Sequence, residues 1–189
     1  MQQRQQQNDQ LQMKDAFNLF YLLANSHATT ATVFLRTDFG RDGIGVHGMF
    51  GFFMILLWGG MTNSYAMFVF LCAYLLAVLS QRMKTFANSR KGIIPHSRYN
   101  GYPVVSKRLF PRMSELNARG LDAFLCLSIG GLLTFIADKP LGYFVMAGFL
   151  SILLSEGTTN ELHRKRLQAM RDAEIEQRFL AETYKSGRF

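Results

Sequence analysis

The sequence predicts an all-α integral membrane protein: four transmembrane helices in two hairpins, a cytoplasmic amphipathic helix before them and a charged cytoplasmic helix after them. Three observations carry this reading. First, 49% of the 189 residues are hydrophobic and 18% are charged, against about 25% charged in an average soluble domain. Second, the apolar residues come in blocks. Residues 43–81 hold no Asp, Glu, Lys or Arg over 39 positions, nearly two bilayer crossings at about 20 apolar residues each. Third, the net charge of +8 is concentrated in one connection between apolar blocks.

The first block divides at the polar turn Met61-Thr62-Asn63-Ser64. This predicts helices over 44–61 and 65–80, within a hairpin over 44–81. The second block, 120–156, has arms at 123–137 and 141–155 around Asp138-Lys139-Pro140. Proline and two charges suit a turn at a membrane surface. Each arm covers 15 residues, or about 22 Å at 1.5 Å per residue, short of a hydrocarbon core about 30 Å thick. The arms therefore take in Gly120, Leu121 and Glu156, or the bilayer thins. A re-entrant second hairpin is the alternative.

Charge sets the expected orientation. Segments 1–42 and 120–155 carry net 0 and −1, and the tail 156–189 carries +1. The connection 82–119 carries nine basic residues against Glu115 alone. Cationic loops stay in the cytoplasm, so this loop and both termini are expected there. A bacterial inner membrane is the expected location. No cleavable signal is expected, because the first apolar span lies behind a Gln-rich start with little charge.

Residues 1–12 are Gln-rich and expected to be disordered. Met13, Ala16, Phe17, Phe20, Leu23 and Ala24 then recur at helical spacing, within a segment running to residue 43. That helix either lies on the membrane surface or packs on the protein's own cytoplasmic side. Residues 28–35 (ATTATVFL) read as a β-branched stretch or an extended linker. The basic loop holds three of the four prolines and an Asn-Gly pair, which predicts a structured irregular loop. The tail, 157–189, is helical, with favourable Glu161–Lys165 and Glu174–Arg178 spacings. Leu162, Ala169, Ala173, Leu180 and Tyr184 form its narrow apolar stripe.

Chemistry is sparse. There is no nucleophile elbow, phosphate-binding glycine loop or metal-binding histidine pair, and no cofactor is expected. Cys72 and Cys126 lie in apolar stretches and read as buried thiols. Gly40 to Gly45 reads as a turn into the first helix. His47, Asp122 and Glu156 are expected near one membrane boundary, where an ion or proton site is conceivable; ordinary pairing with Arg119 or Arg164 is the plainer account. Small residues point to close helix packing, notably Gly45, Gly48 and Gly51 and the series Ala147, Ser151 and Ser155. The stripe in the fourth helix is expected to face a partner.

In the basic loop, Arg90, Lys91, Arg98, Tyr99, Tyr102, Lys107, Arg108 and Arg112 interleave cations and aromatics. They either fix topology and anchor the loop, or bind anionic lipid or a protein partner; nucleic acid ranks last. The expected function is a non-enzymatic structural, anchoring or scaffold subunit of a larger membrane complex. Its partners would be other membrane subunits or copies of itself, with anionic lipids. A small oligomeric transporter or ion-conducting protein is the alternative, and a membrane enzyme ranks third.

Overall fold

The computed structural model describes residues 2–93 and 99–185, without the side chains of 2–13 and of Arg41. The loop residues from Ile94 to Arg98, and the Met13 side chain, therefore lie outside the described residues. All long elements are helices, and four are long and apolar enough to cross a membrane. The chain divides into two compact units, 1–155 and 156–189.

In the first unit, α1 runs unbroken over Gln2–Leu35. Two readings are corrected by it. The Gln-rich start is helical from Gln2, and 28–35 is helix, not an extended linker. For 28–35 the reason is local. Ser26, Thr29 and Thr30 donate their hydroxyls to Leu22 O, Asn25 O and His27 O at 2.7, 2.8 and 2.7 Å. Such back-bonding lets hydroxyl residues sit in a helix without exposing polar groups. Leu35 hands over to strand β1, Arg36–Thr37.

Helix α2, Arg41–Thr62, is kinked where Gly45 leaves helical geometry. It ends at Asn63, which adopts the left-handed conformation at φ 48°. Ser64 caps α3, Tyr65–Arg90, by accepting from the Met67 amide. α3 runs ten residues past the predicted end at 80, because nothing before Gly92 (φ +74°) interrupts it. The basic loop is thus partly helical, which corrects the irregular-loop expectation. It also contains strand β2, Tyr102–Pro103, and short helix α4, Val104–Leu109. β2 pairs antiparallel with β1, Arg36 opposite Pro103. Ser114 then caps α5, Glu115–Ile136.

Helix α6, Lys139–Lys185, joins the fourth predicted span and the tail into one 47-residue helix. Glu156 therefore lies inside a helix and does not close one. The second unit is the charged part of α6, and 161–182 are exposed throughout.

Helix contacts in the first unit are close. A β-carbon on Gly51 would lie 2.9 Å from Thr30 Cγ2 and 3.0 Å from Tyr74 Oη. One on Gly130 would meet the Met146 backbone at 2.5 Å. Tyr74, 1% exposed, donates to Gly48 O at 2.8 Å. At the end with the two tight turns, Ser64 bonds Asp138 and Trp58 Nε1 donates to Pro140 O at 3.0 Å. Of the cysteines, Cys126 is buried but Cys72 is exposed on α3, which corrects the expectation for Cys72.

Candidate functional site

The most structured polar region lies at the opposite end of the first unit, where the basic connection meets the helices. It is built from the second half of α1. Residues 24–30 are buried without interruption, among helices far more apolar than they are. Asn25 accepts from Ser155 Oγ at 2.5 Å, and His27 Nδ1 meets Ser151 Oγ at 2.8 Å. The His27 ring stands edge-on to Phe144 at 4.6 Å. In a low-dielectric interior such bonds act as polar glue between helices.

α5 and α6 run antiparallel, with Gly130 against Met146 and Gly142 and Cys126 against Gly148. α1 meets Ser155 through Asn25, Ser151 through His27 and Gly148 through Ala31, so its contacts step back along α6 as α1 advances. Arg36, just beyond the helix, reaches Asp122 of α5 with its long side chain.

Its far end is fixed by a buried ion pair. Arg36 Nε donates to Asp122 Oδ2 at 2.6 Å, with the side chains 1% and 0% exposed. Ser106 Oγ donates to Asp122 Oδ1 at 2.5 Å. Arg36 Nη1 and Nη2 reach Asn100 O and Arg119 O at 3.4 Å. Gln81 Nε2 donates to Arg36 O at 2.8 Å. One arginine thus joins α1, α3, the basic connection and α5. A buried pair holds only if its remaining hydrogen-bonding capacity is met, and Ser106 and the loop carbonyls do this.

The basic-loop residues separate into two groups. Tyr99 and Lys107 are structural. Tyr99 donates to Glu115 at 2.7 Å, and the Arg119 guanidinium lies 5.0 Å from its ring centre. Burial, and then the bond to Glu115, push the Tyr99 phenol above its ordinary value. Lys107 bonds the carbonyls of Pro111 and Met113. By contrast Arg90, Lys91, Tyr102, Arg108 and Arg112 are exposed, with Arg90 4.5 Å over the Phe86 ring. Arg98 lies outside the described residues.

The other predicted sites fare unevenly. Asp122 is brought to Arg36 and Ser106, and no contact with His47 is found among the described residues. His47 is half-buried in α2, and Glu156 is buried in α6. Gly48 and Gly51 serve internal packing, whereas Gly45 has open space around it. Ser151 and Ser155 face α1 within the chain, which corrects the expectation of a partner-facing stripe; Ala147 alone of the three is exposed. Sequence reasoning missed Arg36, Gln81, Ser106, Asn25 and His27. A signal existed: residues 16–35 form a 20-residue stretch without a charged side chain, ended by Arg36.

An apolar cavity of about 190 Å³ opens between α3, α5 and α6 with α1 as its floor. Among the described residues, no group of three or more His, Cys, Asp or Glu side chains is arranged to hold a metal ion. No protein-family model, curated protein or solved structure matches the chain.

Proposed function

We propose that this protein is an integral membrane subunit that anchors or organises a larger membrane assembly without catalysing a reaction. In this reading α2 with α3, and α5 with part of α6, are transmembrane hairpins in a bacterial inner membrane. The basic connection and both termini face the cytoplasm, as the cationic loop favours. Exposed Arg90, Lys91, Arg108 and Arg112 engage anionic headgroups or an acidic partner.

One observation carries the reading. The second unit is a lone helix that exposes Leu162, Met170, Leu180 and Tyr184 at 50%, 70%, 59% and 73%. These residues, with Ala169 and Ala173, share one face at helical spacing. Its charge suits water, and the apolar face suits burial against another helix. Copies of the same chain and different subunits both supply such a helix. A small oligomeric transporter is the second reading, favoured by the buried polar face of α1. The closed bonds of Ser26, Thr29 and Thr30 weigh against a water path there.

The test replaces Leu162, Leu180 and Tyr184 together with Gln and compares the complexes extracted in mild detergent. Insertion should be unchanged, and a large wild-type complex should fall to the free subunit. A wild-type protein that is strictly monomeric in native membranes would overturn the proposal. Reporters at both termini and near Pro103 should read cytoplasm, and one at Asn63 the opposite side.

A further inference from the structure

We propose that the cavity between α3 and α5 is a lipid site, which takes one acyl chain of an anionic phospholipid and sets its headgroup at Lys84. This rests on the membrane-embedded reading of the helices but not on the assembly role proposed above.

The walls define the ligand. Phe34, Phe70, Ala73, Ile129 and Phe144 line the space, together with Thr30. The two groups with polar atoms turn them away. Thr30 donates its hydroxyl to His27 O, and Cys126 Sγ to Val145 O at 3.2 Å. The cavity thus presents carbon and no hydrogen-bonding partner, and water does not settle in such a space. At about 190 Å³ it exceeds the roughly 150 Å³ apolar cavity known to take up benzene. Several methylene groups therefore fit. Its rim is open, since Phe34 and Ile129 are 42% and 43% exposed. At the depth of the spans, what lies outside that rim is acyl chain.

Depth and charge specify the rest. Ala73 lies near the middle of the apolar part of α3, and Ile129 near the middle of that of α5. Lys84 follows Ala73 by eleven residues, three turns along one helix face and about 16 Å toward the basic end. That is close to half of a hydrocarbon core about 30 Å thick. A lipid of the adjoining leaflet with its chain end in the cavity therefore has its phosphate near Lys84, which is exposed. The distance matches one leaflet, and the charge matches an anionic headgroup.

The experiment uses the full chain in zwitterionic vesicles. A minor fraction of phospholipid carries a photoreactive diazirine in one acyl chain, with either a phosphatidylglycerol or a phosphatidylcholine headgroup. After irradiation, peptide mass spectrometry maps the labelled residues. Labelling should concentrate on Phe34, Phe70, Ala73 and Ile129 over the more exposed Leu57, Leu76 and Leu132. The anionic probe should label about fivefold more, the factor expected for one lysine at an anionic surface, and K84Q should abolish that preference. A73W, or I129W from the opposite wall, should reduce cavity labelling to the level of Leu76. Even labelling over all exposed leucines, or cavity labelling unchanged in both tryptophan variants, would overturn the site. Labelling indifferent to headgroup and to K84Q would overturn the anionic assignment.

Discussion

Two polar stretches of helix have opposite fates in this chain. Residues 24–33 of α1 carry Asn, Ser, His and three Thr and are buried but for a partly exposed Ala31, whereas 161–182 of α6 are exposed throughout. The difference lies in how the polarity is carried. Short hydroxyl side chains in α1 bond to carbonyls of their own helix, and Asn25 and His27 find serines on α6. Buried polar groups are tolerated when hydrogen-bonded. Long charged side chains have no such local solution, and desolvating them costs far more. Polarity alone thus does not decide which helix is buried; the reach of the polar atoms does.

The largest effect is expected on removing one member of the buried pair Arg36–Asp122. Asp122→Ala should cost about 3–5 kcal/mol by stranding Arg36, read as a drop in Tm in mild detergent. Replacing both, Arg36→Met with Asp122→Leu, should recover most of that loss. If D122A melts like the wild type, the pair does not hold α1 in place.

A smaller effect is expected where α1 meets α2. Gly51→Leu leaves the composition apolar but overfills the contact with Thr30 and Tyr74, at about 1–3 kcal/mol. The same substitution at Gly60, helical in α2 and with open space around it, should be tolerated; equal losses at both would mean that α1 is not seated against Gly51.

Next comes the α1–α6 bond. His27→Ala and Ser151→Ala in a double-mutant cycle should couple by about 1 kcal/mol. Additive losses would remove the bond from the argument.

Tyr99 makes the stability of the loop depend on pH. Its folded-state pKa is raised, chiefly by burial. Its contribution is therefore fully present below the unfolded value of about 10 and is lost as pH rises through the folded value. Tm should fall above pH 10 in the wild type and less steeply in Y99F; parallel profiles would contradict the packing of Tyr99.

The smallest effect belongs to the tail. Breaking the exposed Glu174–Arg178 pair, 2.6 Å apart, should change stability by no more than about 0.5 kcal/mol. A larger loss would show that this helix is packed and not solvated.

The sequence by itself determined the four apolar helices, their two turns and the helical tail, because these follow from hydropathy and local breakers. Asn63-Ser64 sits between α2 and α3 as predicted, and of Asp138-Lys139-Pro140 the first lies between α5 and α6 while Lys139 and Pro140 open α6. It also marked Asp122 as an ionisable residue out of place. It did not assign Arg36 as the partner, since the two are 86 positions apart and only the folded chain joins them. Nor did it assign Ser151 and Ser155 to α1: a small-residue stripe is the same whether a neighbouring segment or another molecule covers it. The sequence splits α1 into an amphipathic helix and a β-branched stretch or linker, because 28–35 is rich in Thr and Val. Only tertiary structure decided that Asn25 and His27 meet Ser155 and Ser151 of α6 while the hydroxyls of Ser26, Thr29 and Thr30 close onto carbonyls of α1, which is what lets a polar helix be buried among apolar ones.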